Sequence, residues 1–203
     1  MIKTIIFDFG NVFINLDIQG ALKKAFDAFN IEAFSENMIA FNKLYETGKI
    51  STEDFLKYYS STFPHLSKET LIDIWNFILT DFPINRLHFL KRLKQSSNYK
   101  LILLSNTNEL HIDWIKEHIS FYKEFQNCFN EFYLSHEINL RKPNLDIFEF
   151  VLNKNNLMAD ECLFIDDVKE NTVTASQLGI HTWNIDPNSE DVIDLFQVKS
   201  NLF

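Results

Sequence analysis

The chain has 203 residues, 46% of them hydrophobic, and 19 basic against 28 acidic side chains give it a formal net charge of −9. That length holds one domain, or a core with a modest insertion, and the apolar content is enough for a real core. The acidity speaks against a nucleic-acid partner, which calls for a basic face, and means that an anionic ligand must be drawn in by local positive groups.

Two cysteines, Cys128 and Cys162, make no disulfide framework; both sit among apolar neighbours and read as buried thiols in a reducing compartment. The N-terminus runs straight into a strand with no basic-then-apolar leader, and no apolar run approaches a membrane span. The expectation is a soluble, cytoplasmic protein with no membrane partner. The 21 phenylalanines fall in periodic segments and read as core.

In chain order, the short β-branched run at residues 4–7 reads as a buried strand of a parallel sheet, ending on Asp8 and the turn cluster Phe9-Gly10-Asn11. Helical periodicity then takes over. It is carried by Leu22, Ala25, Phe26 and Phe29 over 18–29, and by Met38 and Phe41 over 35–45. Phe55, Leu56 and Tyr59 continue it behind a Ser51 capping signal, and Leu71, Ile74, Trp75 and Ile78 behind Ser67. Four amphipathic helices with short connections predict a small bundle. Gly48 marks a helix stop between two of them; Lys49 beside it either reaches a ligand at the site mouth or belongs to a plain turn.

Pro83 marks the return to the sheet. A helix is expected over 84–95, a strand over 99–104 ending in Ser105-Asn106-Thr107, and a helix over 109–118. A strand near 129–134 and a polar link lead to Arg141-Lys142, with a helix over 143–153 that begins on Pro143. A strand over 162–165 ends on Asp166-Asp167. A helix over 170–178 stops at Gly179, a last strand covers 180–183, and a final helix covers 191–196. Strands alternating with helices mean an α/β fold with a doubly wound, mostly parallel sheet and right-handed crossovers.

Each polar strand end lies at the edge where open α/β sheets bind ligands. One such end is unremarkable alone. Lys142 alone reads as a solvated lysine, and Asp166-Asp167 as acids facing a helix dipole. Together, in the order strand-Asp8, strand-Ser105, Lys142-Pro143 and strand-Asp166-Asp167, they resemble the haloacid dehalogenase superfamily of aspartate-nucleophile phosphatases. The resemblance implies a core domain of residues 1–16 and 84–203 and an inserted four-helix cap of residues 17–83. Asp8 takes the place of the nucleophile. It further implies a small phosphorylated metabolite as partner and Mg²⁺ as cofactor, held by Asp8, Asp166 and the main-chain carbonyl of Gly10.

The residue types suit that chemistry. Phosphoryl transfer needs an in-line nucleophile and neutralised oxygens. Asp8 can form an aspartyl-phosphate. Two converging carboxylates, Asp8 and Asp166, repel unless a cation sits between them, and a hard divalent ion with oxygen ligands fits. Ser105, with the N–H groups of Asn106 and Thr107, offers donors to phosphoryl oxygens, and Lys142 brings a positive charge to them and to Asp8. Asp167 either holds Lys142 or completes the outer shell of the metal; Asn171 either does the same or is an ordinary first-turn residue. The six histidines show no pair at metal-binding spacing and no glycine-rich phosphate loop exists, which disfavours zinc hydrolase chemistry and nucleotide folds.

One position departs from the family. Most members carry a second aspartate, a general acid and base, two residues after the nucleophile; here Gly10 stands there. The Asp-x-Gly-Asn-Val form resembles a bacterial subfamily of helical-cap phosphatases that includes sugar-1-phosphate phosphatases and relatives of the phosphatase domain fused to epoxide hydrolases. Without a resident acid, esters with good leaving groups should react fastest. Two other readings compete: a metal-independent 2-haloacid dehalogenase, which leaves Asp166-Asp167 unexplained, and a catalytically silent binding module. A receiver domain has its acid pair early and its lysine last, the reverse of this order. A phosphomutase leans on the missing acid. The sequence carries no readable oligomeric state.

Overall fold

The computed structural model describes residues 1–96 and 98–203. Its five strands are β1 (Thr4–Phe7), β2 (Lys100–Ser105), β3 (Glu131–Leu134), β4 (Cys162–Asp166) and β5 (His181–Asn184). They form one parallel sheet in the order β3-β2-β1-β4-β5. The chain leaves β1 toward β2 and β3, then crosses back to β4 on the other side, so the order reverses beside β1. That is the crevice where such sheets bind ligands.

The strands are continuous apolar runs because both faces are covered. Ile5, Phe7, Leu101, Leu103, Leu163 and Ile165 point into one core layer, whereas Ile6, Ile102, Leu104, Cys162 and Phe164 point into the other. The first layer is closed by α5 (Ile84–Ser96), α6 (Glu109–His118) and the short α7 (Tyr122–Gln126); the second by α9 (Leu145–Asn155) and α10 (Lys169–Gln177).

Helices α1 (Ile18–Phe29), α2 (Glu36–Glu46), α3 (Thr52–Thr62) and α4 (Lys68–Asn76) carry a third, separate core. Asp17, Ser35, Ser51 and Ser67 cap them, each accepting a bond from an N–H of the first turn. Aromatic stacking fills the interior, with ring centroids 4.4 Å apart for Phe29–Phe63 and 4.1 Å for Tyr45–Phe55. The two connections to the sheet run side by side: Thr80 N–H donates to Asn15 O at 3.1 Å and Asp17 N–H to Ile78 O at 2.9 Å.

Several boundaries differ from the sequence expectation. The helix expected to open on Pro143 begins at Leu145, because Asn144 N–H closes a turn onto Arg141 O at 3.1 Å and Pro143 lies inside it. The polar link after β3 contains a one-turn helix, α8 (Ser135–Ile138), ended by Asn139 at φ 58°. The final helix is a 3-10 turn (Val192–Asp194) running into α11 (Leu195–Val198). Among the described residues, no helix is long and apolar enough to cross a membrane.

Candidate active site

The register of β1 against β4 pairs Phe7 with Ile165, and Asp8 N–H extends the ladder by donating to Ile165 O at 2.9 Å. Asp8 and Asp166 therefore leave the sheet side by side. Lys142 arrives from the loop before α9. Its Nζ donates to Asp8 Oδ1 at 2.7 Å and to Asp166 Oδ2 at 2.6 Å, with the Phe164 ring centroid 5.3 Å away. Both the lysine (1% exposed) and Asp166 (0%) are shut off from water, while Asp8 keeps a small opening at 8%.

Asp166 is fully engaged. Oδ1 accepts Val168 N–H at 2.8 Å, and Asn171 Nδ2 lies 3.0 Å from both oxygens. Asn171 thus belongs to the cluster by direct contact. Asp167 does not hold Lys142: its Oδ2 accepts Asn11 Nδ2 at 2.9 Å, and Asp166 is the carboxylate that takes the lysine together with Asp8.

Asp8, Asp166 and Asp167 can each offer one oxygen, all within 4.8 Å of one another. Three carboxyl groups against one ammonium leave an excess of negative charge in a nearly dry place. Burial is the largest influence on Asp8 and lifts its carboxyl to about 7; Lys142 pulls it down, and Asp166 and Asp167 push it further up. Burial likewise raises Asp167. For Lys142 burial works against the charge, but the two carboxylates outweigh it and hold the ammonium above its ordinary value. A hard divalent cation with oxygen ligands fits this donor set and would offset the repulsion.

Gly10 lies beside this cluster. A Cβ built there would fall 2.7 Å from Leu16 Cδ1 and 4.0 Å from Asp8 Oδ2, so the space a side chain would use is filled by an apolar methyl. The loop is held by Asn11, a non-glycine residue at φ 54°. Its N–H donates to Ile14 O at 2.7 Å, its Oδ1 accepts Leu16 N–H at 3.0 Å, and its Nδ2 reaches Asp167. Arg86, 6% exposed, fixes the far end through Phe13 O, Asn15 Oδ1 and Asp191.

The donors expected after β2 are only partly free. Ser105 is buried at the strand end, and among the described residues its hydroxyl has a single long contact, at 3.5 Å to Asn106 O. Thr107 N–H, however, is used up: it donates to Ser135 Oγ at 2.9 Å. The Asn106 side chain binds the Lys142 backbone rather than pointing into the site. Sequence reasoning read Asn11 only as part of a turn and passed over Arg86 and Ser135. An asparagine after a glycine in a tight turn was the one signal present, for Asn11; Arg86 and Ser135 act on partners far away in sequence and left none.

The helical unit meets the sheet edge close by. Ser135 Oγ lies 2.6 Å from Glu46 O, Asn139 Nδ2 donates to Thr47 O at 2.8 Å, and Arg141 Nη2 pairs with Glu46 at 3.0 Å. Gly48 sits at φ +63°, where a Cβ would come within 2.0 Å of His136 O. Its neighbour Lys49 lines a cavity of about 190 Å³ together with Asn139, Arg141 and Asp146.

Two buried carboxylates and a lysine thus converge at the ligand-binding edge of a parallel sheet, a setting that suits a hydrolase. The sequence comparisons give the family. A model of haloacid dehalogenase-like hydrolases matches residues 2–179, and the chain belongs to that family. It is similar to a D-ribitol-5-phosphate phosphatase of Bacteroides thetaiotaomicron, with 28% identity over 90% of this chain and 91% of the relative. A sesquiterpene phosphatase of Aspergillus oryzae matches at 24% over 88% and 87%. Among solved structures, a haloacid-dehalogenase-family enzyme of Bacteroides thetaiotaomicron in complex with magnesium and inorganic phosphate superposes with a TM-score of 0.81 at 30% identity, covering 97% of this chain and 100% of that one. An L-2-haloacid dehalogenase shares the fold only, with a TM-score of 0.57 at 15% identity over 98% and 99%.

Proposed function

We propose that this protein is a magnesium-dependent phosphatase of small phosphate monoesters, sugar and sugar-alcohol phosphates foremost, acting through an aspartyl-phosphate on Asp8. The observation that carries the reading is the meeting of Asp8 and Asp166 at one buried ammonium, the arrangement expected of a nucleophile and a metal-binding carboxylate. The relatives named above support it: one acts on D-ribitol 5-phosphate and a similar structure holds magnesium with phosphate.

In this reading Asp8, Asp166 and the Gly10 carbonyl hold the ion, with Asp167 and Asn171 in support. Magnesium supplies positive charge that neutralises phosphoryl oxygens and keeps Asp8 ionised. The residues of the chain do the rest. Ser105, the Asn106 N–H and Lys142 bind the phosphoryl oxygens. An Asp8 oxygen attacks phosphorus, the P–O bond to the leaving group breaks, and the leaving oxygen departs with the electron pair and takes a proton from water. A second water attacks phosphorus of the acyl phosphate and frees inorganic phosphate and the Asp8 carboxylate. With Leu16 filling the place beside Gly10, no carboxyl on this loop donates the first proton, so rate should follow leaving-group quality.

Residues 17–83 then act as a cap over a core of residues 1–16 and 84–203, closing through Glu46–Arg141 and the Gly48 turn, excluding water and shaping the substrate pocket. The substrate is a small metabolite rather than a nucleic acid, in keeping with the net charge of −9. The two free, buried thiols suit the cytoplasm. A screen of small phosphate esters with and without Mg²⁺, using Asp8→Asn as the control, tests the proposal. Phosphate release that needs both the metal and Asp8 is expected; equal activity in the variant or in EDTA would overturn it.

A further inference from the structure

Lys142 must hold its ammonium between two carboxylates at 2.7 and 2.6 Å, at the end of a stem with four rotatable bonds. Such a stem fixes its head only where its own backbone is fixed. Here Asn106, immediately beyond β2, supplies that anchor from far along the chain. Its Nδ2 donates to Lys142 O at 2.8 Å and its Oδ1 accepts Lys142 N–H at 2.9 Å. One side-chain amide thus satisfies both polar groups of the Lys142 backbone, as a neighbouring strand would. The preceding Arg141 is committed to Glu46, and Asn144 N–H, two residues further on, to the turn.

We propose that Asn106 is a positioning residue for Lys142. It locks the lysine backbone to the end of β2, so that the ammonium, the nucleophile and the Ser105 hydroxyl keep one geometry. This rests on the phosphatase reading for its kinetic consequence but not for its structural one. The alternative is that Asn106 contacts substrate through the second Nδ2 hydrogen, which the clamp leaves free.

Lysine acylation by acetic anhydride in the intact protein, read peptide by peptide, separates the two without relying on turnover. In the unaltered protein Lys142 should be among the slowest lysines to react, being 1% exposed and doubly ion-paired. Asn106→Ala should raise its labelling about tenfold or more, since two hydrogen bonds to buried backbone are lost. Ser105→Ala, one residue earlier at the end of β2 and not touching Lys142, should leave Lys142 protected. Kinetically, Asn106→Ala should lower kcat about tenfold to a hundredfold with a shifted pH profile, and KM for p-nitrophenyl phosphate should change little. A raised KM and raised inhibition constant for inorganic phosphate, with Lys142 still protected, would overturn the proposal in favour of substrate contact. Failure of the phosphatase reading would instead appear as no turnover in any variant, with the labelling difference intact. Should Asn106→Ala fail to fold, hydrogen exchange at the Lys142 amide of the unaltered protein decides the matter. Slow exchange is expected, and free exchange would refute the clamp.

Discussion

The helical unit and the sheet edge are built on opposite principles. In the bundle of α1–α4, each contact follows from periodicity within a helix: apolar residues three and four apart, a serine or aspartate at each start, and aromatic rings stacked between helices. At the sheet edge almost nothing is local. Lys142 meets Asp8 across a separation of 134 residues and Asn11 meets Asp167 across 156. The bundle is stabilised by burial, which tolerates substitution in small steps. The edge concentrates charges that repel unless each partner is present, so single changes there should be severe.

The largest effect should come from Asp8→Asn. On the proposed role of Asp8 as nucleophile, turnover of any phosphate ester should fall by about four decades or more, with the fold and melting temperature retained. Lys142→Met comes next. It leaves Asp8 and Asp166 facing each other without a counter-charge, and breaking a buried pair typically costs about 3–5 kcal/mol. Thermal unfolding should show a loss of that order in EDTA, and Mg²⁺ should restore part of it. Gly48→Ala puts a methyl against His136 O at a positive φ and should cost about 1–3 kcal/mol, seen as a raised KM when the loop no longer seats against the sheet edge.

A smaller effect links the two regions through acid. His111, on α6, places Nε2 3.1 Å from Trp75 O at the end of α4, and burial holds its pKa down to about 4. A histidine with a lowered pKa binds fewer protons folded than unfolded between about 6.5 and 4. Stability is therefore full above that window and lost as pH falls through it, by roughly 2 kcal/mol after allowing for partial exposure. His136, also lowered by burial, acts in the same direction. His111→Gln should flatten the pH dependence of the melting temperature; an unchanged slope would show that His111 is not the group responsible. The smallest effect, about 1 kcal/mol, is expected for loss of the cap in Ser51→Ala.

The same contrast explains what could be read from the chain. Capped amphipathic helices and buried strands announce themselves locally, and α1 through α4 and all five strands lie within a residue or two of their expected places. Of the site, the residues at strand ends were legible because a carboxylate or hydroxyl that stops an apolar run is itself a signal. Their partners were not. That Thr107 N–H belongs to Ser135, that Asp167 belongs to Asn11, and that Asn106 grips the backbone of Lys142 all depend on which loops the sheet order brings together. Pro143 misled for a related reason: its position suits a helix start, but the tertiary turn from Arg141 to Asn144 claims it first.

The most direct measurement is a trap for the proposed aspartyl-phosphate. Borohydride added during turnover of a reactive phosphate ester with Mg²⁺ should reduce an acyl phosphate at Asp8 to homoserine, detectable by mass in the peptide that carries residue 8. Homoserine at that position, absent without Mg²⁺ or substrate, is the predicted result. Continued phosphate release with residue 8 still aspartate, or with the modification on another carboxylate, would contradict it.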